Sequence, residues 1–242
     1  MDPFVLERIM SYTYAIGDLH GRYDLLLKAE EAIEKHLSPV KSSTIVYLGD
    51  YIDRGPQSRQ IIEFLMNKLS DNFTMRIVLG GNHEDIMLKT CRVLKHANWW
   101  ISNGGGHTLI SYGHSRTGPV DLSVVPDAHL DWISKLPLLY TDGHRVFVHA
   151  GVDPDVPLKD QSPETLTWKL YQDFDERGHG DHHVVHGHHQ FSDGPLLKKG
   201  RTDLDTLAWM TGRLVVGVFD DDVPGGPVDL LEVLGPAGGR LL

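Results

Sequence analysis

The chain has 242 residues, of which 40% are hydrophobic and 23% charged, and its formal net charge is −10 at pH 7. This composition suits a globular protein that buries a core within one domain, and the acidic balance argues against a partner held through nucleic-acid phosphates. The single cysteine excludes an intrachain disulfide, no apolar run approaches the roughly 18 residues of a membrane span, and the first residues lack the features of a signal peptide, so we expect a cytoplasmic protein.

The first hundred residues predict three successive strand–loop–helix units. Each unit has a short apolar, partly β-branched run followed by a segment of helical periodicity. The predicted strands span residues 12–16, 44–48 and 75–79, and the predicted helices span about 23–36, 58–69 and 84–93. The apolar face expected for the first helix consists of Leu26, Leu27, Ala29, Ile33 and Leu37. Such units predict an α/β fold with parallel strands.

Polar side chains follow each of these strands. The three loops carry Asp18 and His20, then Asp50, Asp53 and Arg54, then Asn82 and His83. Taken singly, each loop has a plainer explanation that fits nearly as well. Asp18 would cap the following helix, and residues 49–55 would form a surface turn with a local ion pair. Parallel strands bring their carboxyl ends to one edge of a sheet, so three such loops in succession favour a shared ligand site at that edge.

Residues 95–126 are irregular and predict a cap-like insertion near this edge. The stretch begins with the aromatic pair Trp99 and Trp100, continues through glycines and then becomes rich in Gly, Ser and Pro. The alternative for the two tryptophans is that they are ordinary core residues. A short helix is predicted from about Asp127 to Lys135, because Pro137 cannot continue it.

Two further strand ends carry histidines. Residues 145–148 form a predicted strand that leads into His149, and residues 184–185 lead towards His188. The neighbouring His179, His182 and His183 are expected on the solvated surface. Strands at 214–219 and 228–233, separated by a Pro- and Gly-rich loop, predict a closing hairpin.

The predicted loops supply six candidate metal ligands, which are Asp18, His20, Asp50, Asn82, His149 and His188. Two carboxylates, one amide and three imidazoles without a thiolate suit divalent Mn, Fe or Zn. Six ligands exceed the four of a structural zinc site and suit two ions about 3.5–4 Å apart that share a carboxylate. Asp50 is the central residue and the predicted bridge.

The ordered motifs GDLHG (17–21), GDYIDRG (49–55), GNHE (81–84), HAG (149–151) and GHH (187–189) resemble the phosphoprotein phosphatase branch of the calcineurin-like metallophosphoesterases. The resemblance is strongest to small bacterial and phage serine/threonine phosphatases and extends over residues 12 to about 235. It implies a β-sandwich of two mixed sheets flanked by helices, in a single domain over residues 1–242, with two metal ions at the strand ends.

The resemblance also implies a role for each matching residue. Asp18, His20 and Asp50 would hold one ion, and Asp50, Asn82, His149 and His188 the other. His83 would be the proton donor, oriented by Asp53, and Arg54 would bind phosphate. The implied reaction is hydrolysis of phosphoserine or phosphothreonine by direct attack of a metal-bridging hydroxide, most often with Mn²⁺.

The chain departs from the family pattern at positions that clamp phosphate. Gly80 stands where many members have arginine, and Lys169 where bacterial relatives often have one. Lys169 or Arg177 is therefore the candidate for a second phosphate contact, although lysine lacks the bidentate fork of arginine.

Two other functions compete with the phosphomonoesterase. The first is a symmetrical bis(5′-nucleosyl)-tetraphosphatase, or another hydrolase of small phosphoesters or phosphoanhydrides. The second is a catalytically inactive phosphate-binding protein. Asp53 and Glu84 favour the monoesterase, because the tetraphosphatases commonly differ at both positions. The expected partner is thus a phosphoprotein, phosphopeptide or small phosphoester, with no nucleic acid and no membrane.

Overall fold

The computed structural model describes residues 11–37, 42–68, 70–71, 73–93 and 97–238. The strands in these ranges are β1 Tyr12–Ile16, β2 Ser43–Tyr47, β3 Thr74–Val78, β4 Leu139–Thr141, β5 Arg145–Val148, β6 His183–His186, β7 Leu196–Leu197, β8 Arg201–Asp203, β9 Arg213–Asp220 and β10 Asp229–Leu234. The α-helices are α1 Tyr23–His36, α2 Ser58–Asn67, α3 Asn82–Val93, α4 Ala97–Trp100, α5 Gly106–Ser111, α6 Asp127–Ile133, α7 Pro163–Trp168 and α8 Ala208–Thr211.

These strands form two five-stranded mixed sheets. The first has the order β10-β9-β1-β2-β3 and the second the order β4-β5-β6-β8-β7. In the first sheet β1, β2 and β3 are parallel, and in the second β5, β6 and β8 are parallel. Antiparallel β9 and β10 extend one side of the first sheet. The expected α/β sandwich of two mixed sheets is therefore confirmed.

The core lies in layers because successive strand residues point to opposite faces. Side chains of both sheets meet in one buried cluster, formed by Ala15, Val46, Leu48, Leu79, Phe147, Val185, Leu204 and Phe219. The other face of the first sheet packs on α1 and α2 through residues such as Ile16, Ile45 and Ile61. The two sheets are thus held face to face, with their loops gathered at the edge.

Several sequence expectations differ from the structure in detail. The helix α1 buries Leu25 with Leu26, Ala29 and Ile33, whereas Leu27 is 44% exposed. The prediction for Leu27 was wrong because it lies about 100° from Leu26 around the helix, off the buried stripe. The helix α2 ends at Asn67, and the predicted end at Leu69 lies outside the described residues.

The second sheet contains three strands that the sequence did not reveal. β4, β7 and β8 have only two or three residues each, which is too short for a recognisable alternation. His183 was expected in solvent, but it begins β6 and is buried against Thr202, with 2.9 Å between His183 Nε2 and Thr202 Oγ1. In the part of the chain that is described, no helix combines the length and the apolar character needed to cross a membrane.

Candidate metal centre

Six predicted ligands converge at one edge of the molecule. The loops after β1, β2, β5 and β6 and the first residue of α3 carry Asp18, His20, Asp50, Asn82, His149 and His188. All except His188 are at most 3% exposed. The strand order explains this convergence, because the carboxyl ends of the central parallel strands of both sheets meet at this edge.

Asp50 lies between two groups of candidate ligands. On one side, His20 Nε2 is 3.5 Å from Asp50 Oδ2 and 4.0 Å from Asp18 Oδ2. On the other side, His149 Nε2 is 3.4 Å from Asp50 Oδ1 and 2.8 Å from Asn82 Oδ1. Ligand atoms of Asp50, His149 and His188 all lie within 4.8 Å of one another. The geometry thus brings together both predicted ligand sets, with the carboxylate of Asp50 common to them.

His83 lies as close to the first group as Asp18 does. The atoms of His20, Asp50 and His83 fall within the same 4.8 Å limit, and His83 Nε2 is 3.9 Å from Asp50 Oδ2. Its other ring nitrogen, however, is bonded to Asp53. Asp18 is the harder oxygen donor, whereas His83 is tied to a carboxylate partner that suits a proton-transfer role.

The histidines are oriented as metal ligands are. The Nδ1–H groups of His20 and His149 donate to backbone carbonyls, 2.8 Å from Ile52 O and 3.0 Å from Leu48 O, which leaves Nε2 with its lone pair towards Asp50. Burial lowers the pKa of both imidazoles, and it lowers the pKa of His188 to about 3. These rings are therefore neutral at pH 7, which is the form that binds metal.

Buried negative charge also fits a cation at this place. Burial, together with the carboxylates of Asp205 and Asp50, raises the pKa of Asp18 well above its usual range. Asp205 is itself 2% exposed, and burial raises its pKa to about 6. A divalent ion between these carboxylates would offset their mutual repulsion. The donor set and its charge therefore fit two divalent ions that share Asp50.

The backbone of the site is held in an unusual conformation. His20, Asp50, Asp53, Arg54 and His188 all have positive φ angles, between 41° and 71°. Side-chain-bearing residues rarely adopt this left-handed region, and such residues cluster at functional sites where the surrounding structure imposes them. The neighbouring glycines are required for close approach, because a Cβ on Gly81 or Gly187 would collide with the carboxylates of Asp50 or Asp18.

A chain of hydrogen bonds holds His83. His83 Nδ1 is 2.6 Å from Asp53 Oδ2, and this carboxylate accepts further bonds from Trp100 Nε1 at 2.9 Å and Thr108 Oγ1 at 2.6 Å. Burial alone would lower the pKa of His83, but the carboxylates of Asp50 and Asp53 outweigh it, and the pKa is raised. The sequence did not reveal Trp100 and Thr108, because only the folded segment 97–111 brings them to Asp53.

Arg54 covers the mouth of the centre. Its Nη1 lies 2.7 Å from His20 Nε2, its Nη2 lies 3.1 Å from His83 Nε2, and its guanidinium stacks over the Trp209 ring at 5.6 Å. Its backbone N–H donates to Gly104 O. The guanidinium therefore stands between a candidate ligand and the candidate proton donor, where an incoming phosphate would meet it.

Glu84 joins two of the loops. Its carboxylate accepts hydrogen bonds from the backbone N–H groups of Asp50, Tyr51 and Gly81. Burial raises the pKa of Glu84 to about 8. Because Glu84 contacts backbone amides of the loops after β2 and β3, it supports the loops that carry the candidate ligands. Its identity therefore does not discriminate between substrates.

The two candidates for a second phosphate contact lie beside other groups of the chain. Lys169 Nζ lies 5.2 Å from the centre of the Tyr171 ring. Arg177 is 63% exposed, pairs with Asp175, and lines a groove with His182 and Lys199 near the amino ends of β6 and β8. Those ends are opposite to His188, so the structure argues against Arg177 as a phosphate contact. Trp168, which precedes Lys169, lies beside the centre, with its ring 6.1 Å from that of His188.

The model of the calcineurin-like phosphoesterase family matches residues 12–217. The chain belongs to this family. It is 33% identical over 155 residues to the symmetrical bis(5′-nucleosyl)-tetraphosphatase of Escherichia coli strain UMN026, a stretch that covers 61% of this chain and 46% of that protein. The chain thus spans about half the length of this calcineurin-like relative. The corresponding Salmonella arizonae protein is 32% identical over the same length.

Two solved structures share the fold of this chain. A candidate diadenosine tetraphosphatase superposes with a TM-score of 0.65 at 21% identity, over 96% of both chains. A serine/threonine phosphatase of Saccharomyces cerevisiae superposes with a TM-score of 0.60 at 16% identity, over 93% of this chain and 80% of that one. At such identities the likeness concerns the fold alone, and it does not discriminate between substrates.

Proposed function

We propose that the chain is a metal-dependent phosphoesterase that cleaves a phosphoanhydride bond of a dinucleoside tetraphosphate symmetrically. The observation that carries the reaction class is the pair of ligand groups that share Asp50, next to Arg54 and His83. The substrate class is supported by the relatives that bear the name symmetrical bis(5′-nucleosyl)-tetraphosphatase.

In this proposal the ligands divide as the motifs imply. Asp18, His20 and Asp50 hold one ion, and Asp50, Asn82, His149 and His188 hold the other. When bound, a pair of divalent ions supplies positive charge for the phosphoryl oxygens and lowers the pKa of water, so that water attacks phosphorus directly. The mixed oxygen and nitrogen donors suit Mn²⁺, which we propose, and also Fe or Zn²⁺.

The remaining residues act on the phosphate and on the leaving group. The Arg54 guanidinium offers two N–H donors to the phosphate oxygens and fixes the orientation of the phosphorus for attack. His83, protonated and held by Asp53, donates its proton at Nε2 to the departing oxygen. Water is added across the bridging P–O bond, one fragment receives the hydroxyl oxygen, and the other receives the proton.

A phosphoserine or phosphothreonine monoesterase is the second candidate. The observation that favours it is the braced pair of Asp53 and His83, because an alkoxide leaving group needs a proton more than a phosphate does. Glu84 no longer supports this candidate, because its carboxylate binds backbone amides behind the centre.

One substrate panel separates the two candidates. Purified protein with Mn²⁺ is assayed against diadenosine tetraphosphate, a phosphoserine peptide and a phosphothreonine peptide, and nucleotide products are separated by chromatography. We expect the highest kcat/KM on diadenosine tetraphosphate, with ADP as the sole nucleotide product. Equal amounts of ATP and AMP would contradict symmetrical cleavage, and faster release of phosphate from the peptides would establish the monoesterase instead.

A further inference from the structure

Two exposed tryptophans form a wall next to the metal centre. Trp99 in α4 is 47% exposed and Trp168 at the end of α7 is 37% exposed. Their ring centroids are 6.2 Å apart with an interplanar angle of 31°, and the Trp168 ring also lies 6.1 Å from that of His188. Two separate parts of the chain thus place large aromatic faces in solvent beside a candidate metal ligand, where core packing does not require them.

A cleft opens along this wall. It has a volume of about 420 Å³ and is lined by Asp85, Ile86, Lys89, Thr90, Trp99 and Trp168. This volume lies in the range of small-molecule sites, which combine apolar walls with a few polar groups. The Thr90 side chain is fully buried, yet its hydroxyl has no hydrogen-bond partner. Buried hydroxyls are normally satisfied, and this unpaired donor belongs to a residue that lines the cleft.

The chemistry of the wall selects a flat aromatic ligand. Aromatic side chains bind nucleobases by stacking, and each base has a π-face that such a ring can cover. The Trp168 ring adjoins both the cleft and His188, so a ligand stacked there carries its phosphates towards the candidate metal ions. In a nucleotide, one ribose separates the base from its phosphates, which matches this side-by-side arrangement.

We propose that the cleft between Trp99 and Trp168 binds a purine base of the nucleotide substrate by stacking. This inference rests on the proposed function and specifies how the nucleoside part is recognised. The Thr90 hydroxyl and the Asp85 carboxylate, which also pairs with the exposed Lys89 at 2.5 Å, supply hydrogen bonds to the edge of the base. Trp99 is a specificity-determining residue that does not touch the reacting atoms.

Binding of two matched, non-hydrolysable probes tests this proposal. The metal-loaded protein is titrated in a calorimeter with adenosine 5′-(α,β-methylene)diphosphate and with methylenebisphosphonate, which lacks the nucleoside. The wild type should bind the nucleoside probe more tightly. In Trp99→Leu we expect about 5- to 100-fold weaker binding of the nucleoside probe, with the base-free probe changed less than about twofold.

Two further variants serve as controls. Trp99→Phe keeps an aromatic face and should retain most of the affinity for the nucleoside probe. Phe174→Leu removes another exposed aromatic ring, in the groove near Arg177, and should leave both probes unaffected. If Trp99→Leu weakens both probes equally, Trp99 acts on the phosphate site and the proposal is overturned.

The assay also separates this proposal from the proposed function. If the wild type cleaves diadenosine tetraphosphate but binds both probes equally, the function stands and the stacking cleft is overturned. If the wild type does not cleave the dinucleotide, yet binds the nucleoside probe more tightly through Trp99, the cleft stands and the proposed function fails.

Discussion

Asp50 contributes one oxygen to each candidate ligand group, since Oδ2 faces His20 and Oδ1 faces His149. Replacing it with asparagine keeps the shape and removes the charge that both ions share. We expect Asp50→Asn to lower the metal content from about two ions per chain to less than one, and to abolish turnover. Elemental analysis after gel filtration measures this.

The matched control is Asp131→Asn, which removes a carboxylate that is 66% exposed and pairs with Arg92 away from the centre. It should retain the wild-type metal content. If Asp50→Asn instead retains two ions, or loses only one of them, Asp50 does not bridge.

His83 is expected to act as a general acid, and the rate enhancement that it provides should depend on how basic the leaving group is. Positioned proton transfer typically contributes about 10²–10⁴-fold, and a basic alkoxide needs it more than p-nitrophenolate does. We therefore expect His83→Asn to slow hydrolysis of an alkyl phosphate far more than that of p-nitrophenyl phosphate, with metal content unchanged. Single-turnover rates are the quantity to compare, because they report the chemical step.

Asp53→Asn should show the same selectivity more weakly, because Asp53 orients the imidazole without donating the proton itself. Equal losses on both substrates would assign His83 to the geometry of the metal centre, where it also lies within reach of His20 and Asp50.

At the scale of residues, motif spacing predicted which side chains converge at the centre. It did not predict the side chains that hold Asp53 in place by hydrogen bonds. Asp18, Asp50 and Asn82 lie two, three and four residues after the ends of β1, β2 and β3, so the strand order brings them together. Trp100 and Thr108 reach Asp53 only through tertiary contacts. Lys169 and Arg177 were chosen because arginines common in the family are missing from this chain. Their absence indicates that a second cation is needed for phosphate binding, but it does not indicate which side chain lies near the phosphate.

The segment 97–111 supports the site as an element. It supplies Trp100 and Thr108 to Asp53, and Gly104 O accepts the backbone N–H of Arg54. Gly104 has a φ of 107°, and a Cβ there would lie 2.6 Å from Arg54 N. We expect Gly104→Ala to displace Arg54, raising KM for phosphate substrates by about tenfold or more, because the bidentate clamp is lost.

Gly113→Ala is a close control for this change. Gly113 has a φ of 96° but no atom within 4 Å of the added Cβ, so the variant carries the backbone strain without the collision. Both variants should lose thermal stability, and only Gly104→Ala should raise KM. A similar KM in both variants would show that the segment 97–111 does not contribute to substrate binding.

Among the elements, long periodic segments were predictable and short ones were not. α1, α2 and the β9–β10 hairpin extend over enough residues to reveal their period, whereas β7 has two residues. The tryptophans of α4 divide between the two alternatives, because Trp100 is buried against Asp53 and Trp99 is exposed. Periodicity could not separate them in a helix of four residues.

For the whole molecule, His183 links folding to pH. Burial, assisted by nearby Arg145, lowers its pKa from 6.5 to about 4. Below pH 6.5 the His183 imidazole is protonated in the unfolded chain, whereas in the folded chain it stays neutral down to about pH 4. The unfolded state therefore binds more protons between these pH values. The stability that the neutral ring contributes is complete above pH 6.5 and is lost as pH falls towards 4.

His183→Asn should therefore reduce the loss of unfolding free energy between pH 6.5 and pH 4 relative to the wild type. Urea unfolding followed across this window, at fixed metal content, measures it. The neighbouring His182→Asn, which removes a less buried imidazole, serves as the control. Identical pH profiles for His183→Asn and the wild type would show that the ring is not held neutral.

The family and the sandwich were predictable at the scale of the molecule, whereas the substrate was not. The motifs predict ligands and a proton donor, which phosphomonoesterases and tetraphosphatases share. The proposal of a dinucleotide substrate therefore rests on the names of the sequence relatives. The single-domain organisation with a cap over residues 95–126 and the cytoplasmic location stay predictions.

The Glu84 carboxylate has a further consequence for local motion. Three amides from two loops, those of Asp50, Tyr51 and Gly81, end on this one side chain. Glu84 and Gly81 lie in the same loop–helix segment, so the loop after β2 cannot move away from α3 without leaving the amides of Asp50 and Tyr51 without their acceptor, and these two amides should open as one cooperative unit. The amide hydrogens of Asp50 and Tyr51 should exchange with deuterium at a common slow rate, and Glu84→Ala, which removes both acceptor oxygens, should speed the exchange of both together.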